Sequence, residues 1–182
     1  QAERGAGASG IRQQLEVLSS ASRNMFSSPL HLLTRAPAYS PSPFPIVRHV
    51  VSTDLPANAV SRLSRNVAIA SVELAFAQMA QTLSVPDLIR LGDEICGEYS
   101  LDELRPEGFF PRPPLTMPER LGSLLENTPR LRGGAKARRA LRYVLSGSAS
   151  PAETRLAMAL CLPHKLGGLG LPRPQLNHRI RL

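Results

Sequence analysis

At 182 residues with 42% hydrophobic side chains, the chain is long enough for one ordinary domain, or for one domain and the beginning of another. Aromatic residues make up 4% and tryptophan is absent, so a core has to come mainly from Leu, Ala, Val and Ile, which favours helices over a β-sandwich. Two cysteines far apart, Cys96 and Cys161, exclude a disulfide framework and a zinc-ligand spacing, and no apolar run reaches membrane-spanning length.

The net charge of +8 is unevenly distributed. Residues 1–126 hold 11 basic against 13 acidic side chains, a net −2, whereas residues 127–182 hold 11 basic against the single acid Glu153, a net +10. A genome rich in GC explains why all but Lys136 and Lys165 of the cations are arginine, but it does not explain the missing acids. Such asymmetry is expected where one segment faces a polyanion. With no signal-peptide order in QAERGAGASG and both thiols read as small buried residues, a cytoplasmic location is the default expectation.

In chain order, residues 1–10 are Gly-, Ala- and Ser-rich and predict disorder. IRQQLEVLSSASRNMF predicts a short helix with Ile11, Leu15 and Leu18 on one side. Pro37, Pro41, Pro43 and Pro45 make RAPAYSPSPFP an extended linker or strap. Ile46, Val47, Val50 and Val51 predict a strand, and AVSRLSRNVAIA a second strand region around a turn at Asn66, the two forming one small sheet with HLLT at residues 31–34.

Helical patterns follow. Ser71 is a predicted N-cap opening the helix SVELAFAQMAQTL, with Glu73 in the first turn; Pro86 starts a second helix that carries Leu88, Ile89, Ile95 and Cys96 and stops at Gly97. FFPRPPLTMPER breaks the periodicity, and Thr116 to Glu119 predicts a capped start for a helix bearing Leu121, Leu124 and Leu125. No repeat at solenoid periods is present.

PRLRGGAKARRALRYVLSG is the clearest functional stretch. A helix over 135–145 gathers Ala137, Ala140, Leu141, Val144 and Leu145 into an apolar stripe and places Lys136, Arg139 and Arg142 at spacings of three outside, flanked by Arg130, Arg132 and Arg138. Guanidinium groups in such a row each suit a phosphate, and Gly133-Gly134 lets a backbone come close. The bland reading is a solvated helix face. The absence of any acid from 127 to 152 favours nucleic acid, with Arg132, Lys136, Arg139 and Arg142 as the contacts.

Ser150-Pro151-Ala152-Glu153 is a capping box: Ser150 accepts a first-turn amide, Pro151 sits where its missing N–H costs nothing, and Glu153 turns back to the Ser150 amide. After that helix come GGLGLP and QLNHRIRL; the latter predicts a strand with Leu176, His178, Ile180 and Leu182 on one face and Gln175, Asn177, Arg179 and Arg181 on the other. His31, His49, His164 and His178 have no partner at metal-ligand spacing, and GGLGLP lacks the strand-before, helix-after setting of a phosphate loop.

The order S-P-x-E-T-x-L, an amphipathic helix, G-G-x-G-L-P-x-P and a strand opening L-N, over about 148–182, resembles the start of the very-short-patch-repair-like (Vsr-like) endonucleases of the restriction-endonuclease-like fold. The text over about 46–147, with S-V-E-L-A-F and the basic helix, is similar to actinobacterial proteins in which such a nuclease tail follows an AbiEi-type antitoxin-like region. The resemblance implies that Glu153 is a catalytic position and that Mg²⁺ serves the full-length nuclease. Yet no Asp or Glu follows Glu153, so the further carboxylates of that active site are not in this sequence.

The expectation is therefore a mainly helical α+β protein: an arm and linker at 1–45, a small α+β body with a β-sheet at 46–126, and at 127–182 a basic helix leading into the first helix and strand of a restriction-endonuclease-like domain. The chain reads as a fragment or degenerate relative that ends on entering the first nuclease strand. The expected function is DNA binding without nuclease activity or a cofactor of its own; the alternative is an antitoxin- or repressor-like module that binds DNA or a protein partner, with no membrane role.

Overall fold

The computed structural model describes residues 30–34, 46–62, 64 and 68–177. The expected N-terminal disorder, the helix over IRQQLEVLSSASRNMF, the proline linker, the Asn66 turn and the terminal strand beyond Asn177 lie outside the described residues. The fold is α+β and mainly helical, with five α-helices and three two-stranded sheets among the described residues. The backbone divides into two compact units, residues 1–52 with 62–68, and residues 53–61 with 69–182.

In the first unit, β1 (Leu30–Thr34) and β2 (Ile46–Val50) run parallel, pairing His31 with Val47 and Leu33 with His49. This departs from the single sheet expected from the β-branched runs. β3 (Val60–Arg62) and β4 (Ala68–Ala70) pair only with each other, because three-residue strands offer too few ladder groups to recruit a further one.

The second unit is helical. α1 (Val72–Met79) starts where Ser71 Oγ accepts the Leu74 amide at 3.2 Å, and α2 (Val85–Ile95) where Ser84 Oγ accepts the Asp87 amide at 3.2 Å, with Pro86 in its first turn. α2 ends at Cys96. At the next residue, Gly97, a Cβ would stand 2.6 Å from the Asp93 carbonyl oxygen and 2.8 Å from that of Ser148, so only glycine lets the two segments meet.

Residues expected to be irregular form a hairpin, β5 (Tyr99–Leu101) with β6 (Phe109–Pro111), antiparallel and pairing Ser100 with Phe110. Prolines at 106, 111, 113 and 114 hid it, since Pro111 occupies a strand end where no ladder donor is needed.

α3 (Pro118–Asn127) begins at Met117 without a side-chain cap. Thr116, expected to cap it, instead donates through Oγ1 to Glu73 Oε1 at 2.5 Å and ties the start of α3 to that of α1. α4 (Gly134–Leu141) and α5 (Pro151–Cys161) complete the set.

α2 is the central element, packed on α1, α4 and α5, while α3 packs on α1 and α4. The core is Leu74, Phe76, Ala77, Leu88, Ile89, Tyr99, Leu121, Leu124, Leu125, Ala137, Ala140 and Val144, all essentially buried. All but Tyr99 on β5 and Val144 beyond the end of α4 come from the apolar stripe of a helix, so helical periodicity carries most of the packing. No helix among the described residues is long and apolar enough to cross a membrane.

Candidate nucleic-acid interface

α4 is shorter than its sequence pattern implies. It ends at Leu141, and Tyr143 and Val144 continue as a turn in which Val144 is buried. Gly134, Ala137 and Ala140 face inward. Ala135, Arg139 and Arg142 follow at spacings of four and three on the exposed side, with Arg132 three residues earlier, also exposed. Arg132, Arg139 and Arg142 have no ion pair or side-chain hydrogen bond among the described residues.

Lys136 stands elsewhere. It is half-buried, and its Nζ donates to the Leu83 carbonyl at 3.0 Å, fixing the turn after α1. Arg138 donates to the Leu125 carbonyl at 3.1 Å and the Pro129 carbonyl at 3.5 Å, closing the C-terminal end of α3. Arg173 does the same for α4, reaching the Arg142 carbonyl at 3.1 Å and that of Val144.

The cations of this region thus fall into two groups. Three satisfy carbonyls that helix ends and turns leave without partners, and two of them, Arg138 and Arg173, lie at helix C-termini, where the negative end of the dipole favours them. The others, which include Arg132, Arg139 and Arg142, meet no protein anion among the described residues. Gly133, at φ +84°, is left-handed, and a Cβ there would stand 3.2 Å from Gln81 Cγ. The close approach permitted by the glycine pair is therefore made to Gln81.

Glu153 lies in the first turn of α5. Ser150 Oγ accepts the Glu153 amide at 3.2 Å, and Glu153 Oε2 accepts the Ala149 amide at 2.6 Å, one residue before the expected Ser150 amide. The same oxygen accepts from Asn177 Nδ2 at 3.3 Å, while Asn177 also donates to the Gly147 carbonyl at 2.6 Å. Asn177, with φ +51°, lies in a turn with Leu176. Among the described residues no three His, Cys, Asp or Glu side chains gather as a metal site would require. The described residues do not assemble a carboxylate cluster for the implied Mg²⁺ around Glu153.

Beside Glu153, Thr154 is fully buried, bonded through Oγ1 to Tyr99 Oη at 3.0 Å and to Ser148 Oγ at 2.8 Å. This hydroxyl network joins α5 to β5 and to the loop before it, and only the S-P-x-E-T order hinted that Thr154 mattered. A second group missed in the sequence is Asp93 on α2, 1% exposed, whose Oδ1 accepts the Leu145 amide at 2.7 Å. Burial pushes its carboxyl up to about 7, opposed by the Leu145 amide and by Arg173. A cavity of about 10 Å³ at Asp93, Tyr143, Cys161 and Arg173 has room for roughly one water.

Two further features compete for attention. An open depression of about 470 Å³ has a mixed lining, with Asn58, Glu73 and Arg120 beside Ile69, Val72 and Leu115. Burial would raise the Glu73 carboxyl, but hydrogen bonds from Thr116, its own amide and Ser71, together with Arg120, hold it below its ordinary value. On the parallel ladder, His31 and His49 stack with ring centroids 5.0 Å apart, with Nδ1 of the first 2.8 Å from Nε2 of the second. Two residues of register bring together side chains that are 18 positions apart in sequence.

Compared with family models, with curated proteins and with solved structures, the chain matches none.

Proposed function

We propose that this chain binds DNA through the exposed cations Arg132, Arg139 and Arg142, with Lys136 left out of the row because its ammonium is held by the Leu83 carbonyl, as the non-catalytic portion of a Vsr-like endonuclease-family protein. The observation that carries the reading is an outward α4 face of arginines without acidic partners, in a stretch from 127 to 177 with nine basic side chains and Glu153 as its single acid. Unpaired guanidinium groups on a fixed helix suit phosphate oxygens, and the affinity they supply is sequence-independent and salt-sensitive.

Binding without cutting is compatible with the engagement of Glu153 in the helix cap. The same observation supports the second reading, an antitoxin- or repressor-like module. In the first reading, α5 and the segment running to Asn177 correspond to the first helix of a restriction-endonuclease-like fold and the approach to its first strand.

The test is a titration of duplex DNA at several salt concentrations with Arg139→Ala/Arg142→Ala. The double variant should bind all sequences more weakly and lower the salt slope by about one to two. Its circular dichroism should be unchanged, because neither side chain has a partner among the described residues. Equal affinity of the two proteins at low salt rejects this surface. Sequence preference that survives the double substitution favours the repressor-like module, since phosphate contacts carry no base information.

A further inference from the structure

We propose that the outward face of α5 seats the tip of the β5–β6 hairpin from a second copy of this chain. α5 buries Thr154 and Ala157 on one side, yet its other side is also apolar: Leu156 is 60% exposed and shares that side with Ala152 and Ala159. The chain then returns along the end of the helix. The Leu169 amide donates to the Ala159 carbonyl and the Leu171 amide to the Leu160 carbonyl, both at 2.9 Å, which holds Leu169 and Leu171 alongside at 59% and 49% exposure. An exposed leucine between two alanines, with two more leucines alongside, is an apolar strip, and among the described residues no second layer covers it. Arg155 stands on the same exposed side, and Lys165 in the turn after the helix; neither has a partner among the described residues.

The chain carries a surface of matching chemistry. At the hairpin tip Leu104 is 97% exposed, amid Asp102, Glu103 and Glu107. The tip is already ordered: Asp102 accepts the Leu104 amide at 3.1 Å and Arg105 Nε at 3.2 Å, the Asp102 amide donates to the Gly108 carbonyl at 3.0 Å, and the Arg105 guanidinium lies 5.0 Å over the Phe110 ring. A leucine held outward on a fixed acidic turn loses little freedom on docking, and an apolar seat rimmed by Arg155 and Lys165 complements both its side chain and its charge. The contact is small, so the association is weak, concentration-dependent and weakened by salt. It does not rest on the nucleic-acid reading.

Sedimentation equilibrium of the full chain without nucleic acid, up to about 1 mM at low salt, is the test. Self-association is expected, and Leu104→Ser and Leu156→Ser should each weaken it about ten-fold or more while leaving the melting temperature in place, since both side chains face solvent. Arg155→Glu should weaken it as well, and Glu103→Arg/Glu107→Arg in the same chain should restore it. A chain monomeric throughout that range overturns the proposal. So does an association that Leu156→Ser disrupts and Leu104→Ser does not, which would assign the seat to another occupant.

Discussion

α2 and α4 lie against each other, yet they divide the charge of the protein between them. Residues 71–126, around α2, hold ten acidic and four basic side chains, and residues 127–177, around α4, hold one acidic and nine basic. On the α2 side many acids are engaged close by: Asp87 with Ser84 and Arg90, Glu94 with the Leu101 amide, Asp102 with Arg105. On the α4 side the cations either hold backbone carbonyls or have no partner among the described residues. The difference teaches that net charge is a poor guide to a binding surface until the charges with structural work have been set aside. Lys136, Arg138 and Arg173 hold backbone carbonyls, and Arg132, Arg139 and Arg142 are the cations on which the proposed nucleic-acid contact rests.

The sharpest test of that division is Asp93, the acid of the α2 side that reaches into the α4 side through the Leu145 amide. Its carboxyl is raised from 3.8 to about 7, mainly by burial, so the folded state favours the neutral form. The stability linked to Asp93 is therefore complete below about pH 4, declines as the pH rises towards 7 and levels off above it. A shift of about three units corresponds to about 4 kcal/mol at most. Asp93→Asn keeps an oxygen for the Leu145 amide and removes the titration. Urea unfolding should show the variant gaining on the unmodified protein from pH 5 to pH 8; a difference that stays constant over this range shows that Asp93 is charged throughout in the fold.

The two classes of cation are separated by comparing Arg173→Ala with Arg142→Ala. Arg173 holds two carbonyls beyond the end of α4 and is the cation nearest in effect to Asp93, so its loss should cost about 2 kcal/mol. Arg142 has no side-chain partner among the described residues, and its loss should change stability by no more than about 0.5 kcal/mol. In DNA binding the order should reverse at a temperature where both variants are folded. Equal stability costs would dissolve the distinction between capping and free arginines.

Local signals were legible and long-range ones were not. Ser71, Pro86, Ser150 and Pro151 mark helix starts because a cap or an N-terminal proline acts within one turn, and the stripes of α1 to α3 follow from periodicity alone. The β5–β6 hairpin was missed because three-residue strands ending in proline carry almost no alternation. Lys136 was placed in the outer row by its spacing, but its ammonium reaches Leu83, 53 residues away, and spacing holds no information about that contact. The same applies to Asp93, an ordinary helix carboxylate in the sequence and a buried one in the fold.

The smallest effect concerns Glu153, the lone acid of the α4 side, which the comparison predicts to be engaged locally like the acids around α2. Two bonds close the start of α5: Ser150 Oγ takes the Glu153 amide, and Glu153 Oε2 takes the Ala149 amide. Ser150→Ala removes the first and leaves a helix amide without a partner, at a cost of about 1 kcal/mol. Glu153→Gln keeps an oxygen in place for the Ala149 amide and gives up only the charge near the helix N-terminus, where the exposed-site contribution is roughly 0.3–1 kcal/mol, so its cost should be the smaller of the two. Chemical denaturation at neutral pH and moderate salt ranks them. Affinity for DNA should be unchanged or slightly tighter in Glu153→Gln, because a negative charge leaves a basic region. If Glu153→Gln is the more destabilising variant, or if it abolishes DNA binding in a folded protein, the carboxylate has work beyond the cap, and its assignment to a local structural role fails at the residue where the endonuclease resemblance places catalysis.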